Sequence, residues 1–166
     1  MTTSGKLTAA DRQYLQRCVD LAREALSAGD KPFGSILVNG QGQELFADRN
    51  RVSGGDQTQH PEFAIARWAA NHLSEEQRAK AVVYTSGEHC PMCAAAHALV
   101  GLGRIVYASS SAQLAAWHAQ WGVPAEPVMS LPVQDIAPEV AVAGPDPNLS
   151  EQIRQLHAQL HGISNR

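Results

Sequence analysis

AVVYTSGEHCPMCAAAHALVGLGRIVYA, residues 81–108, decides the fold. Its first five residues are a short apolar run that reads as a buried central strand. A helix is expected over 90–102, stopped by Gly103, and 104–108 repeats the pattern as a second buried strand. Strand, helix, strand is the alternation of an α/β sheet.

Working outward, 8–28 reads as an amphipathic helix. Thr8 with Asp11 three residues on resembles a capping box, Gly29 supplies the stop, and Leu15, Cys18, Val19, Ala22 and Leu26 recur at helical spacing. Cys18 is expected to be a small buried hydrophobe. After Pro32, 34–39 reads as a strand, Asn39-Gly40-Gln41-Gly42 as a hairpin turn and 44–48 as the return strand. A polar glycine-bearing loop leads to His60-Pro61-Glu62 and a helix to about Leu73, with Pro61 in the first turn, where its missing N–H costs nothing. Beyond 108 come a helix over 110–121, a proline-rich stretch over 123–147 with room for a last strand, and a closing helix over 148–161. The expected architecture is a three-layer α/β/α sandwich around a mixed five-stranded sheet, in one domain over 1–166.

The composition is that of a globular protein: 166 residues, 44% hydrophobic and 17% charged. Thirteen Lys plus Arg against sixteen Asp plus Glu give a net charge of −3. Proteins that grip polynucleotides through phosphates carry a basic face, so no nucleic-acid partner is expected. The first eight residues hold no apolar core of signal-peptide length, and no stretch is long enough to cross a bilayer. Three cysteines, two of them in one C-x-x-C, are poor material for a disulfide framework and suit a reducing compartment, so the cytoplasm is expected.

The chemistry lies in a combination of weak motifs. H-x-E alone is common, and C-x-x-C alone fits redox or structural roles. Here His60-Pro61-Glu62 opens one expected helix and Cys90-Pro91-Met92-Cys93 opens the next. Cysteines three apart in a first helical turn put both sulfurs on one side, and His60 can add a nitrogen. Three protein ligands leave a fourth tetrahedral position for water, the pattern of a catalytic zinc. Helix N-termini favour thiolate and anionic ligands. Two thiolates cancel the formal charge of zinc, so a nearby base helps, and Glu62 is spaced to be that base. Three rivals stand beside this reading. His97 shares a helix face with Cys90 and Cys93 and could replace His60. His89 could close a purely structural zinc site. The two cysteines could form a redox pair. His157 and His161, four apart, could also meet a metal, although an exposed or half-buried helix face is the plainer reading.

The order H-x-E then C-x-x-C resembles the zinc-dependent cytidine and deoxycytidylate deaminase superfamily, in particular the branch of guanine deaminases and tRNA adenosine deaminases. Pro32-Phe33-Gly34, Asn50-Arg51-Val52 and Thr85-Ser86-Gly87-Glu88 ahead of Cys90 are similar to that branch's motifs, and the likeness runs over about 8–110. The chain departs at Pro61, where the family has Ala or Val, and at His89, where it has Pro. The resemblance implies zinc on His60, Cys90 and Cys93, with Glu62 moving protons between metal-activated water, the ring nitrogen and the departing ammonia. It implies that Asn50 hydrogen-bonds the substrate ring, that Phe33 walls the pocket, and that Glu88 is structural support. Trp117 and Trp121 fit either an aromatic lid over a flat ring or one face of a packing helix. The implied substrate is a small aminated heterocycle, guanine first, with cytosine, cytidine or an aminotriazine as alternatives, and the implied assembly is a homodimer.

Overall fold

The computed structural model describes residues 5–164; most of the N-terminal stretch read for a signal peptide, residues 1–4, lies outside the described residues. In chain order the elements are α1 (Ala9–Ser27), β1 (Gly34–Val38), β2 (Glu44–Arg49), α2 (Pro61–His72), α3 (Glu75–Lys80), β3 (Val82–Gly87), α4 (Pro91–Leu99), β4 (Ile105–Ser109), α5 (Ser111–Trp121), α6 (Val133–Ile136), β5 (Val142–Ala143) and α7 (Pro147–Leu160). The five strands form one sheet in the order β2-β1-β3-β4-β5. β1 runs antiparallel to both β2 and β3, whereas β3, β4 and β5 are parallel. The sheet is therefore mixed, as expected.

Both faces are buried, and the strand period of two sorts the side chains between them. Ile36, Val38, Tyr84, Val106 and Ala108 pack with Leu15, Cys18, Val19 and Ala22 of α1 and Ile153 and Leu156 of α7. Leu37 and Val83 turn the other way, against Ile65, Ala66 and Ala69 of α2. Ile105 and Tyr107 meet Ala94 of α4 and Val133 of α6 on that second side. Helices thus cover the sheet on both sides. Cys18 is fully buried and burial pushes its thiol up, so it is the inert hydrophobe expected.

Local signals explain the boundaries. Thr8 and Asp11 exchange backbone hydrogen bonds as a capping box, and Asp11 also accepts from Tyr84 Oη at 2.7 Å and Arg104 Nη2 at 3.0 Å. The start of α1 is in this way tied to β3 and to the residue before β4. The hairpin forms at Asn39, whose Oδ1 accepts from the backbone N–H of Gln41 and Gln43. Two boundaries differ from the sequence reading. α4 ends at Leu99 rather than at 102, because Gly101 takes φ +73° and turns the chain out of the helix. α3 was not expected; Ser74 and Gln77 build a capping box that starts a separate short helix between Leu73 and β3. Among the described residues no helix is long and apolar enough to cross a membrane.

Candidate metal centre and active site

Both metal-facing helices begin at the same end of the sheet, near the carboxyl ends of β3 and β4, where parallel α/β sheets hold their ligands. His60 is the N-cap of α2 and Cys90 the N-cap of α4, each followed by a proline at the first helical position. Neither side chain caps its own helix. Both therefore remain available to a ligand while the proline fixes the entry of the chain.

His60 Nδ1 lies 3.5 Å from Cys90 Sγ and 3.6 Å from Cys93 Sγ. All three donor atoms fall within 4.8 Å of one another. Around tetrahedral zinc, bonds of about 2.0–2.3 Å put neighbouring N and S ligands roughly 3.5–3.8 Å apart. The donor set and its spacing fit zinc. His97 does not belong to the group: its Nε2 meets the Gly103 carbonyl at 2.7 Å. His89 stays out as well; it is buried edge-on to the His97 ring with a centroid separation of 5.4 Å. The single-helix ligand set and the fourth-ligand alternative are both absent from the geometry.

The charges are arranged for a cation. Cys90 is held down to about 4 because the Cys93 thiol donates to it, with His60 as a second donor. Cys93 correspondingly keeps its proton, raised by that same bond, by burial and by the Glu62 charge. The hydrogen bond to Cys90 raises His60, and Glu62 adds to the effect. A dication bound to all three would displace these shared protons.

Glu62, in the first turn of α2, is 5% exposed. Burial raises its carboxyl above the ordinary range, and the Cys90 charge acts in the same direction, opposed by His60 and by the Thr85 hydroxyl. Its Oε1 lies 3.2 Å from Ser35 Oγ and 2.9 Å from Thr85 Oγ1, and the two hydroxyls are 2.8 Å apart. Thr85 Oγ1 also lies 2.9 Å from the Gly87 carbonyl. A hydroxyl has one proton and rotates. Thr85 can therefore donate to an ionised Glu62, or accept from a protonated one while donating to Gly87. Both protonation states of the carboxyl find partners. Thr85 opens a motif already quoted for the resemblance, but neither it nor Ser35 was given a role from sequence; the available signal was a hydroxyl inside each of two otherwise apolar strands.

Asn50 is buried, and its Oδ1 accepts from Val52 N at 3.1 Å, while its side-chain amide N–H groups have no partner among the described residues. Through that bond it braces the loop that follows β2. Phe33 is half-buried and lies edge-on to His157, with ring centroids 5.0 Å apart. A Cβ added to Gly87 would come within 3.2 Å of the Phe33 ring, so the two residues pack directly. Trp117 and Trp121 stack on each other at 6.4 Å and lean on His157 and His161 of α7, with no recorded contact to the metal-ligand group. The structure gives them the helix-packing contacts. Glu88 accepts from Ser111 N and Val133 N and so joins α5 to α6. His157 and His161 part ways: the first is buried and the second exposed.

A family description of the cytidine and deoxycytidylate deaminase zinc-binding region matches residues 8–109. A probable cytosine deaminase of Schizosaccharomyces pombe is 32% identical over 114 residues, 68% of either chain. A guanine deaminase of Bacillus subtilis is 36% identical over 81 residues, 48% of this chain and 52% of the relative, so the match spans about half of that protein. A solved guanine deaminase of Nitrosomonas europaea superposes with a TM-score of 0.69 over 97% of this chain and 90% of its own, at 18% identity. That last likeness is one of fold.

Proposed function

Because the chain belongs to the cytidine and deoxycytidylate deaminase family, we propose that it hydrolyses the amino group from a small aminated heterocycle, guanine first. The observation that carries this reading is Glu62, a buried carboxyl next to a His/Cys/Cys group with hydrogen-bond partners for both of its protonation states.

His60, Cys90 and Cys93 would hold zinc, which when bound acidifies water for attack on an amidine carbon. Glu62 accepts the proton of the attacking water and returns protons to the ring nitrogen and the leaving amine. Burial raises its basicity, which favours its taking the proton. Ser35 and Thr85 hold the carboxyl in place through the cycle. The unpartnered amide of Asn50 is available to the substrate ring. Phe33 supplies an apolar wall beside Gly87. We keep Trp117 and Trp121 as the outer aromatic border of the cleft, acting through their stack on α7.

Guanine is favoured by the Asn50-Arg51-Val52 and Thr85-Ser86-Gly87-Glu88 segments and by the B. subtilis relative. Cytosine is the second reading, favoured by the longer match to the S. pombe protein. A cytoplasmic homodimer with no polynucleotide partner completes the proposal; the net charge of −3 supports the last point, and exposed Leu99, Val128 and Met129 offer apolar surface for a second copy. The test is ammonia release from guanine, adenine, cytosine, their nucleosides and aminotriazines, with Glu62→Ala as control. Release from guanine that the variant abolishes supports the reading; no release from any ring, or release unchanged by the variant, refutes it.

A further inference from the structure

We propose that His89 and His97 together hold a buried water, and that this bridge fixes the turn that presents Cys90 and Cys93 to the metal. The two histidines are in this way positioning residues of the metal centre.

Both histidines are 1% exposed, and their rings meet at right angles with centroids 5.4 Å apart. Both nitrogens of His89 and Nδ1 of His97 are buried with no hydrogen-bond partner among the described residues. Burial keeps the two imidazoles neutral, so each carries a single N–H. His97 Nε2 donates that proton to the Gly103 carbonyl at 2.7 Å, which leaves its Nδ1 a bare acceptor. His89 has one donor and one acceptor to satisfy. The pair therefore calls for a small neutral ligand that both donates and accepts. Water does so, and at about 2.8 Å to either side it can touch both rings. A metal cation would leave the His89 N–H unpaired, and among the described residues no third Cys, His, Asp or Glu donor joins these two. An anion would face two lone pairs. Three buried nitrogens without any partner would cost stability that an apolar pair would not.

The place of the pair gives the bridge its role. Cys90 follows His89 directly and is the N-cap of α4, and His97 lies one turn beyond Cys93 in the last turn of the same helix. The His89 ring folds back against α4 to reach His97. A link between them therefore spans α4 from the residue before its N-cap to its last turn and closes around both cysteines. The Gly103 carbonyl ties the far end to the segment entering β4. Hydrogen bonds just outside a metal's ligands orient those ligands and tune affinity. The Pro that the family carries at position 89 has no polar side-chain atom, so the bridge is a device of this chain.

The experiment is a double-mutant cycle of His89→Phe and His97→Leu, read by denaturant unfolding of chelated protein and by zinc and cobalt titration. The lost Gly103 contact is common to the His97 variant and the double variant, so it cancels in the cycle. We expect His89→Phe to raise the unfolding equilibrium constant about 5- to 150-fold, because it strands His97 Nδ1. The combined loss in the double variant should fall about tenfold or more short of the product of the single losses. Each single variant should still fill with zinc, bind it about tenfold more weakly, and shift the visible bands of its cobalt form. Imidazole nitrogen NMR shifts of the wild type should show His97 Nδ1 as a hydrogen-bonded acceptor. A His89→Phe protein as stable as wild type, or more so, overturns the inference, because that is the result of removing nitrogens that bind nothing. Multiplicative losses overturn it too, and unchanged zinc affinity and cobalt spectra overturn the positioning role. Should the variants fail to fold, the wild-type shifts decide, and a free lone pair on His97 Nδ1 overturns the bridge. None of these readouts depends on which ring is turned over, so failure here is distinct from failure of the deaminase reading.

Discussion

Replacing Glu62 with Gln separates chemistry from architecture at one position. The substitution preserves shape and leaves an oxygen for the Ser35 and Thr85 hydroxyls, which lie 3.2 and 2.9 Å from Oε1. It removes only the ability to exchange a proton. General acid–base catalysis contributes about 10²–10⁴ in rate, or roughly 3–5 kcal/mol in the barrier, so kcat should fall by that factor with KM little changed. Stability should move the other way. Burial raises Glu62 in the folded protein, so ionising it costs free energy at any pH above its unfolded value, and the cost grows as pH rises through the folded value. Metal-free Glu62→Gln should therefore match wild type in acid and exceed it in Tm at neutral pH. Glu62→Ala, by contrast, strips the two buried hydroxyls of a partner and should lose about 1–3 kcal/mol. The assay is steady-state ammonia release with zinc quantified in each preparation, plus thermal melts of chelated protein from pH 4 to 8. A Gln variant that retains a tenth or more of the activity, or one that is inactive because it has lost its zinc, refutes the reasoning.

Thr85→Val deletes a hydroxyl 2.9 Å from Glu62 and should cost about 1.5–3 kcal/mol of support to the charged form. kcat/KM then drops about 10- to 100-fold near neutrality and recovers toward alkaline pH, and a pH-independent loss would contradict the assigned role. His60→Ala, Cys90→Ser and Cys93→Ser should each lose zinc by elemental analysis, while His97→Ala should retain it and lose stability through the Gly103 contact; zinc loss confined to the His97 variant would overturn the ligand set. Asp11→Asn should lower stability by about 1–3 kcal/mol. Burial pushes that carboxyl up, but bonds from Thr8 N, Tyr84 and Arg104 outweigh it and leave it lowered. Its contribution is thus present above the unfolded value near 3.9 and lost as pH falls through the folded one, so wild type and variant should converge in acid denaturation.

The sandwich was legible because both strand runs flanking the Cys90 helix are apolar and short, and because Thr8, Asn39 and Ser110 carry strong local punctuation. The metal group was legible because its ligands sit at two helix starts, where residue type and spacing have direct geometric meaning. What escaped depends on distance along the chain. Ser35 and Thr85 face each other across an antiparallel pair fifty residues apart in sequence, and neither spacing nor local period announces it. His157 stands 124 residues from Phe33, and helical periodicity alone could not tell its buried face from the exposed one of His161. α3 was missed because its six residues bury nothing and only its cap carries a signal.

The pairing of Ser35 with Thr85 has a further implication. Successive strand residues point to opposite faces, so a slip of one residue in β1 would offer Ile36 to the carboxyl in place of a hydroxyl. Insertions in the exposed turn at Gly40 and Gln41 leave that pairing intact, whereas a single added residue between Phe33 and Ser35 shifts it. Length variation in this lineage should therefore be tolerated beyond Val38 and purged ahead of it, with strand alignment inherited as strictly as the metal ligands.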